Sequence, residues 1–354
     1  MTAAGIATVA RQEFRLRIRA GRWKGLLAVF FAVLLGFTVL LRGSLANVTD
    51  DDLPFTGTVL YGGLMLFVLG LALLVVPALA AQSVNGDRER GTLATLQVTR
   101  LSAAEITLGK FVAAWGTALV FLALTSPLVA YAMTQDGVPL GRVVVVTLVL
   151  ALLLGTVCAV SLWLSSVLTR TTTSGVLAYL SVFAMTVGTL IVFGLVTAVT
   201  SETVDQTFRN DCSQAPPGSS CEEVVTFATT RARTDRTWWL LAPNPFVVLA
   251  DAAPQLPQEE PARDGTEPGV RARDLDPLGQ IGRLVRDLRV PPIEADDGGA
   301  VPGFEVEGAG QDDGAPVWPT GLAVNVALAA GALVLTARRL RTPTRQLPRG
   351  QRVA

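Results

Sequence analysis

The stretch Asn85 to Phe111, NGDRERGTLATLQVTRLSAAEITLGKF, is the most charged part of the first half of the chain beyond its N-terminus. Asp87, Arg88, Glu89 and Arg90 stand together, and Leu108-Gly109-Lys110-Phe111 ends like a phosphate-binding loop. Nucleotide chemistry does not follow. A P-loop needs a glycine five positions before the Gly-Lys and a Ser or Thr after it, to open backbone N–H groups to phosphate and to hold Mg2+. Ala104 and Phe111 occupy those two positions. The chain contains no histidine. That excludes His-based zinc sites, the Ser-His-Asp triad and His general bases together. Intramembrane hydrolysis would then need a Ser-Lys or Asp pair within an apolar span, and no such pair is found. The reading is therefore no catalytic residue, no metal ligand set and no cofactor held by this chain. Of the three cysteines, Cys158 lies in an apolar run as a small filler. Cys212 and Cys221 flank Pro216-Pro217-Gly218. A turn there allows a disulfide in an oxidising compartment, the alternative being two free thiols.

The elements that must position these groups are apolar. Half of the 354 residues are hydrophobic and 16% are charged, against about 25% charged in a soluble domain. Six runs meet the ~17–25 residues that a membrane span requires: Trp23–Leu41, Phe55–Ala81, Leu108–Met133, Val143–Leu168, Gly175–Thr200 and Trp318–Ala337. They are apolar all round rather than on one face. Their bodies carry no Asp, Glu, Lys or Arg; Lys24 and Lys110, near the starts of the first and third, are assigned to the inner segments. Ion-coupled carriers keep ionisable groups at mid-membrane, so the driving energy is expected to enter elsewhere.

With the N-terminus inside, the inner segments hold Arg11, Arg15, Arg17, Arg19, Arg22, Lys24, Arg88, Arg90, Arg100, Lys110, Arg170 and the basic tail from Arg338. The short outer loops hold Arg42 and Arg142. This is the positive-inside pattern of a plasma-membrane protein with both termini cytoplasmic. Arg11, Arg15, Arg19 and Arg22 form one stripe of an N-terminal helix, with Ile6, Val9, Leu16, Ala20 and Trp23 on another side. The expectation is an interfacial helix, apolar face in lipid and arginines toward headgroups, rather than a basic flank that only orients the first span. The fold class expected is an all-α integral membrane protein with six transmembrane helices. Residues 1–200 hold the interfacial helix and helices 1–5, 201–317 form a large extracellular loop, and 318–354 hold helix 6 and a basic tail. Within the loop, TWWLLAPNPFVVLADAA is too short and too broken to span, so it is expected to be re-entrant or surface-lying. Asp276-Pro277 starts a helix whose apolar face is Leu278, Ile281, Leu284, Val285 and Leu288.

Residues 85–102 then face the cytoplasm between the second and third spans. Ser102 and Glu105 make an S-x-x-E capping box that starts the third helix. Gly91 permits a break and Thr92 can cap a short crosswise helix with Leu93 and Leu96 on one side. Such a helix is either a plain connector or a plug for a groove on a partner.

The residues DRERGTLATLQVTRLSAAEITLGK resemble the coupling-helix region of the ABC-2 type permeases, the membrane subunits of bacterial ABC exporters. Glu89, Arg90, Gly91, Thr92, Leu93, Leu96, Ser102, Gly109 and Lys110 match that pattern, while Ala94 and Arg100 stand where an acid and a proline are common. The resemblance extends to the basic N-terminal helix, the six spans and the long connection before the last one. It implies a separate cytoplasmic ATPase that binds ATP and Mg2+ and is contacted by Glu89, Arg90, Gly91, Thr92, Leu93, Leu96 and Arg100. It also implies a second permease subunit, identical or not, and outward movement of an amphipathic or apolar substrate. Lipid is the remaining partner and nucleic acid is not one. The competing readings are a secondary transporter, and a receptor or assembly anchor whose outer loop binds a ligand.

Overall fold

A computed structural model describes residues 2–19, 21–48, 56–89, 101–135, 137–209, 224–256, 275–290 and 315–340. Six helical stretches in it are long and apolar enough to cross a membrane: Trp23–Ala46, Thr56–Glu89, Ala103–Met133, Leu140–Val167, Thr171–Val199 and Trp318–Arg339. Each of the six apolar runs falls on one of them.

The first half of the chain forms α1 (Ala3–Arg19), α2 (Arg22–Val48), α3 (Thr56–Ala80), the short α4 (Asn85–Glu89), α5 (Ala103–Ala123), α6 (Ser126–Met133) and α7 (Leu140–Val167). The break between α5 and α6 falls just before Pro127, which has no N–H to donate. There the Thr125 hydroxyl bonds back to the Leu122 carbonyl at 2.7 Å. The fifth span is α8 (Thr171–Phe183), a π-turn (Ala184–Gly188) and α9 (Thr189–Val199); the sixth is α12 (Trp318–Arg339).

Large apolar side chains put α3 and α7 at the centre. Leu60, Leu64, Met65 and Leu69 of α3 and Leu150, Leu153 and Leu154 of α7 are fully buried in one core. Trp115 of α5 donates its indole N–H to the Ala151 carbonyl of α7 at 2.8 Å, above the bare backbone of Gly155. By contrast α2, α8 and α9 keep Val39, Leu40, Val176, Leu190, Leu195 and Val199 exposed. A belt of that kind needs lipid or another apolar face as its cover. The spans alternate in direction. Val84, Ile106, Leu162 and Leu340 cluster at the end that carries α1; Leu241, Val247, Val285 and Val317 cluster at the opposite, loop-bearing end.

Two expectations about α1 change. It packs along α5 in the same direction: Thr2 meets Glu105, Val9 meets Gly109, Glu13 meets Lys110 and Arg17 meets Thr117. Val9 is buried there, and Trp23 is buried edge-on against Phe121 at 5.5 Å. Both therefore face protein and not lipid. The cause is Gly109, where a Cβ would stand 2.5 Å from the Val9 Cβ, so that only a glycine admits α1 this closely. The side chain of Arg22 lies outside the described residues.

The connection from Ser201 to Val317 departs furthest from the sequence reading. It is not all-α: β1 (Glu202–Arg209) and β2 (Val224–Arg231) pair antiparallel, with Glu202 opposite Arg231 and Arg209 opposite Val224. Both strands are rich in Val and Thr, which favour extended backbone. Among the described residues the fold is mostly helical with one antiparallel strand pair. After two 3-10 turns come α10 (Pro245–Ala252) and α11 (Pro277–Asp287). The WWLLAPNPFVVLADA segment does not lie on a surface. Val248, Leu249 and Ala250 are wholly buried. Asn244 donates to the Thr186 carbonyl and the Thr189 hydroxyl, both at 2.9 Å. Thr186 lies 14 residues before the end of its span at Thr200, about 20 Å down the helix. Irregular backbone at that depth requires protein partners, and the π-turn supplies one through the Thr186 carbonyl. At α12, Gly321 makes room for this insertion, since a Cβ there would meet Val248 at 2.4 Å and the Ala242 carbonyl at 2.7 Å. On α11, Leu278 and Val285 are buried but Leu284 is 62% exposed, so Leu284 does not share the core face. Cys212 and Cys221 lie outside the described residues.

Candidate functional site

Ser102 has extended backbone, and its hydroxyl accepts from the Glu105 N–H at 3.2 Å. Glu105 returns a bond from the Ser102 N–H at 2.7 Å. This reciprocal cap starts α5 rigidly at its first residue. Glu105 also accepts from the Thr2 N–H at 2.5 Å and the Thr2 hydroxyl at 2.9 Å, which ties the start of α1 to the start of α5.

Two turns into α5, Lys110 is fully buried. An ammonium has three protons to donate and no water is available there. Its three acceptors are the Glu13 carboxylate on α1, the Asp87 carboxylate on α4 and the Ser83 carbonyl at 3.0 Å. One side chain thus joins the N-terminal helix, the end of the second span and the start of the third. Beside it, burial lowers the pKa of the Arg17 guanidinium from its ordinary value while Glu13 raises it. Arginine remains charged, and Arg17 reaches the Thr117 hydroxyl at 3.4 Å.

On its other side α4 is held by the turn between α7 and α8. The Ser165 hydroxyl accepts from the N–H groups of Val84 and Asn85 at 3.2 and 3.1 Å. Arg88 donates to the Leu168 carbonyl at 3.1 Å, Asn85 to the Arg170 carbonyl at 3.4 Å, and Glu89 accepts from the Thr171 N–H at 3.4 Å. Ser174 of α8 donates to the Ala81 carbonyl at 3.0 Å. Residues 81–89, the root of this segment, therefore touch α5, α7, α8 and the turn between α7 and α8 through hydrogen bonds or ion pairs, and Lys110 links them on to Glu13 of α1.

Of the residues singled out from the sequence, Glu89 lies in this root, while Ser102 and Glu105 cap α5 and hold the start of α1. Arg11, Arg15 and Arg19 are exposed on α1, and Trp23 is buried beside α5. Arg90, Gly91, Thr92, Leu93, Leu96 and Arg100 lie outside the described residues. Sequence reasoning missed the roles of Lys110, Glu13 and Asp87 by assigning them to the inner segments at large. The available signal was a lysine two residues into an apolar run, which must find a carboxylate if it is buried.

The loop-bearing end holds a second set of buried ions. Arg142, assigned from sequence to a short outer loop, is instead buried in the first turn of α7 and paired with Asp276 at 2.5 Å. The same Asp276 oxygen accepts from the Gly279 N–H at 2.9 Å and so caps α11. Asp251, at the end of α10, accepts from Arg286 and from the N–H groups of Val317 and Trp318, each at 2.6 Å. That carboxylate fastens α10 and α11 to the start of the sixth span.

A family model described as ABC-2 family transporter protein matches residues 7–254, from α1 through α10. The chain belongs to that family. It is a multi-pass plasma-membrane protein and the membrane component of an ABC transporter, a transport part that is not itself catalytic. No curated protein matches the chain.

Proposed function

We propose that this chain is the membrane subunit of an ATP-driven exporter and receives its stroke through residues 85–102. A separate cytoplasmic ATPase, holding ATP and Mg2+, seats that segment in a cleft, with Glu89, Arg90, Gly91, Thr92, Leu93, Leu96 and Arg100 as its contacts. Two membrane subunits pair, each with its own ATPase. Both termini are cytoplasmic, and an amphipathic or apolar substrate moves outward. The observation that carries this reading is the root at residues 81–89, tied by Lys110, Ser165 and the α7–α8 turn to four other helices. A passive connector has no need of that anchoring. Lys110 and Arg142 do not revive an ion-coupled carrier, because they lie at opposite ends of the bundle and each is paired with carboxylates. The test is co-purification with the cognate ATPase. Leu93→Asp combined with Leu96→Asp should abolish it while leaving membrane insertion intact; undiminished co-purification overturns the coupling role.

A further inference from the structure

α1 divides its faces sharply. Gly5, Val9 and Glu13 turn to α5, and Glu13, the only acid on the helix, is taken up by Lys110. Arg11, Arg15 and Arg19, spaced four apart, form a second face. They are exposed, and none has a carboxylate partner among the described residues. Leu16 and Ile18 flank the stripe at 62% and 44% exposure. Water suits the arginines and not those two side chains, whereas the boundary between headgroups and acyl chains suits both.

Position points the same way. The span Ala103–Met133 has 31 residues, about 46 Å at 1.5 Å per residue, against a hydrocarbon core of ~30 Å. Its surplus turns must stand at headgroup level at one end or the other. The polar, capped start of α5 with Glu105 and Lys110, along which α1 packs, is the part unsuited to hydrocarbon. Because α1 runs in the same direction as α5, Arg15 and Arg19 lie successively closer to the core than Arg11. Side chains on a helix tilt toward its N-terminus, here the headgroup side, and long arginine stems let the guanidinium groups reach back to lipid phosphates.

We infer that Arg11, Arg15 and Arg19 bind the phosphates of anionic phospholipids, which cover the free face of α1 and hold it against α5. This does not depend on the presence of an ATPase, so its test uses the purified chain alone. Thermal unfolding in detergent is followed with added phosphatidylglycerol, phosphatidylcholine or inorganic phosphate. Phosphatidylglycerol should raise the midpoint more than phosphatidylcholine does, inorganic phosphate should leave it unchanged, and high salt should shrink the difference. Each arginine changed to glutamine should weaken phosphatidylglycerol binding about fivefold. The combined Arg11→Gln, Arg15→Gln, Arg19→Gln variant should respond to both lipids alike, whereas the corresponding lysine variant should keep the preference. Equal responses of the wild type to the two lipids overturn the inference, as does an unchanged preference in the glutamine variant. A glutamine variant that keeps the lipid preference but no longer assembles with its ATPase assigns the stripe to a protein partner instead. Should the glutamine variant fail to fold, native mass spectrometry of the wild type from mixed micelles decides. Selective retention of phosphatidylglycerol supports the site and equal retention of both lipids contradicts it.

Discussion

Lys110 offers three protons, and Glu13, Asp87 and the Ser83 carbonyl take one each. Removing one partner of a buried ion pair typically costs about 3–5 kcal/mol, because charge is left without compensation. Lys110→Met should therefore lower stability by that order, read as a drop in the thermal midpoint in detergent. Adding Glu13→Gln and Asp87→Asn to the same chain should recover part of the loss, since the stranded carboxylates are then neutral. A Lys110→Met chain as stable as the wild type contradicts the clip. This cluster was only half legible in the sequence. A lysine at the mouth of an apolar run announces a need for partners, but Glu13 lies 97 positions away and Asp87 lies 23 away. Their meeting depends on how α1 and α4 pack, which no local pattern encodes. Arg142 and Asp276, 134 positions apart, were hidden for the same reason.

Local signals were read well at helix starts and poorly where a segment packs. Ser102 with Glu105, and Asp276 before Pro277, mark helix starts through side chains acting on backbone N–H groups within three residues. For Trp238–Ala252 the sequence left a re-entrant and a surface-lying course open, and the segment is buried against the helices. That packing is set by distant atoms, the Thr186 carbonyl and the bare backbone of Gly321. The β1–β2 hairpin escaped because its Val and Thr residues are mixed with charges in a long loop rich in Pro and Gly. For α1 the deciding residue is Gly109, which lies on another element. Gly109→Ala should push α1 away and lower the thermal midpoint, since its Cβ would meet Val9 at 2.5 Å. Val9→Gly in the same chain should restore much of the loss. A Gly109→Ala chain with unchanged stability shows that α1 does not need this close approach.

At the scale of the molecule, length and hydropathy were enough to find the six spans. Their arrangement was not legible, because all six are apolar throughout. Central α3 and peripheral α9 differ in what they touch rather than in composition. Orientation rests on the basic inner segments. It predicts that Thr134→Cys, exposed beyond α6, reacts with a membrane-impermeant maleimide in intact cells when the three native cysteines are replaced by serine. Labelling only after permeabilisation reverses the orientation. The same outer compartment predicts that native Cys212 and Cys221 resist that reagent until a reductant is added; labelling of both without reductant rules out their disulfide. The central claim is that another protein hydrolyses the nucleotide and drives this bundle through the segment between the second and third spans. It is tested most directly by ATP hydrolysis of the cognate ATPase in liposomes, alone, with the wild-type chain, and with the chain carrying Leu93→Asp and Leu96→Asp. The account predicts a rate that changes when the wild-type chain is present and returns to that of the lone ATPase with the double variant. Identical rates with the wild-type and variant chains would contradict it.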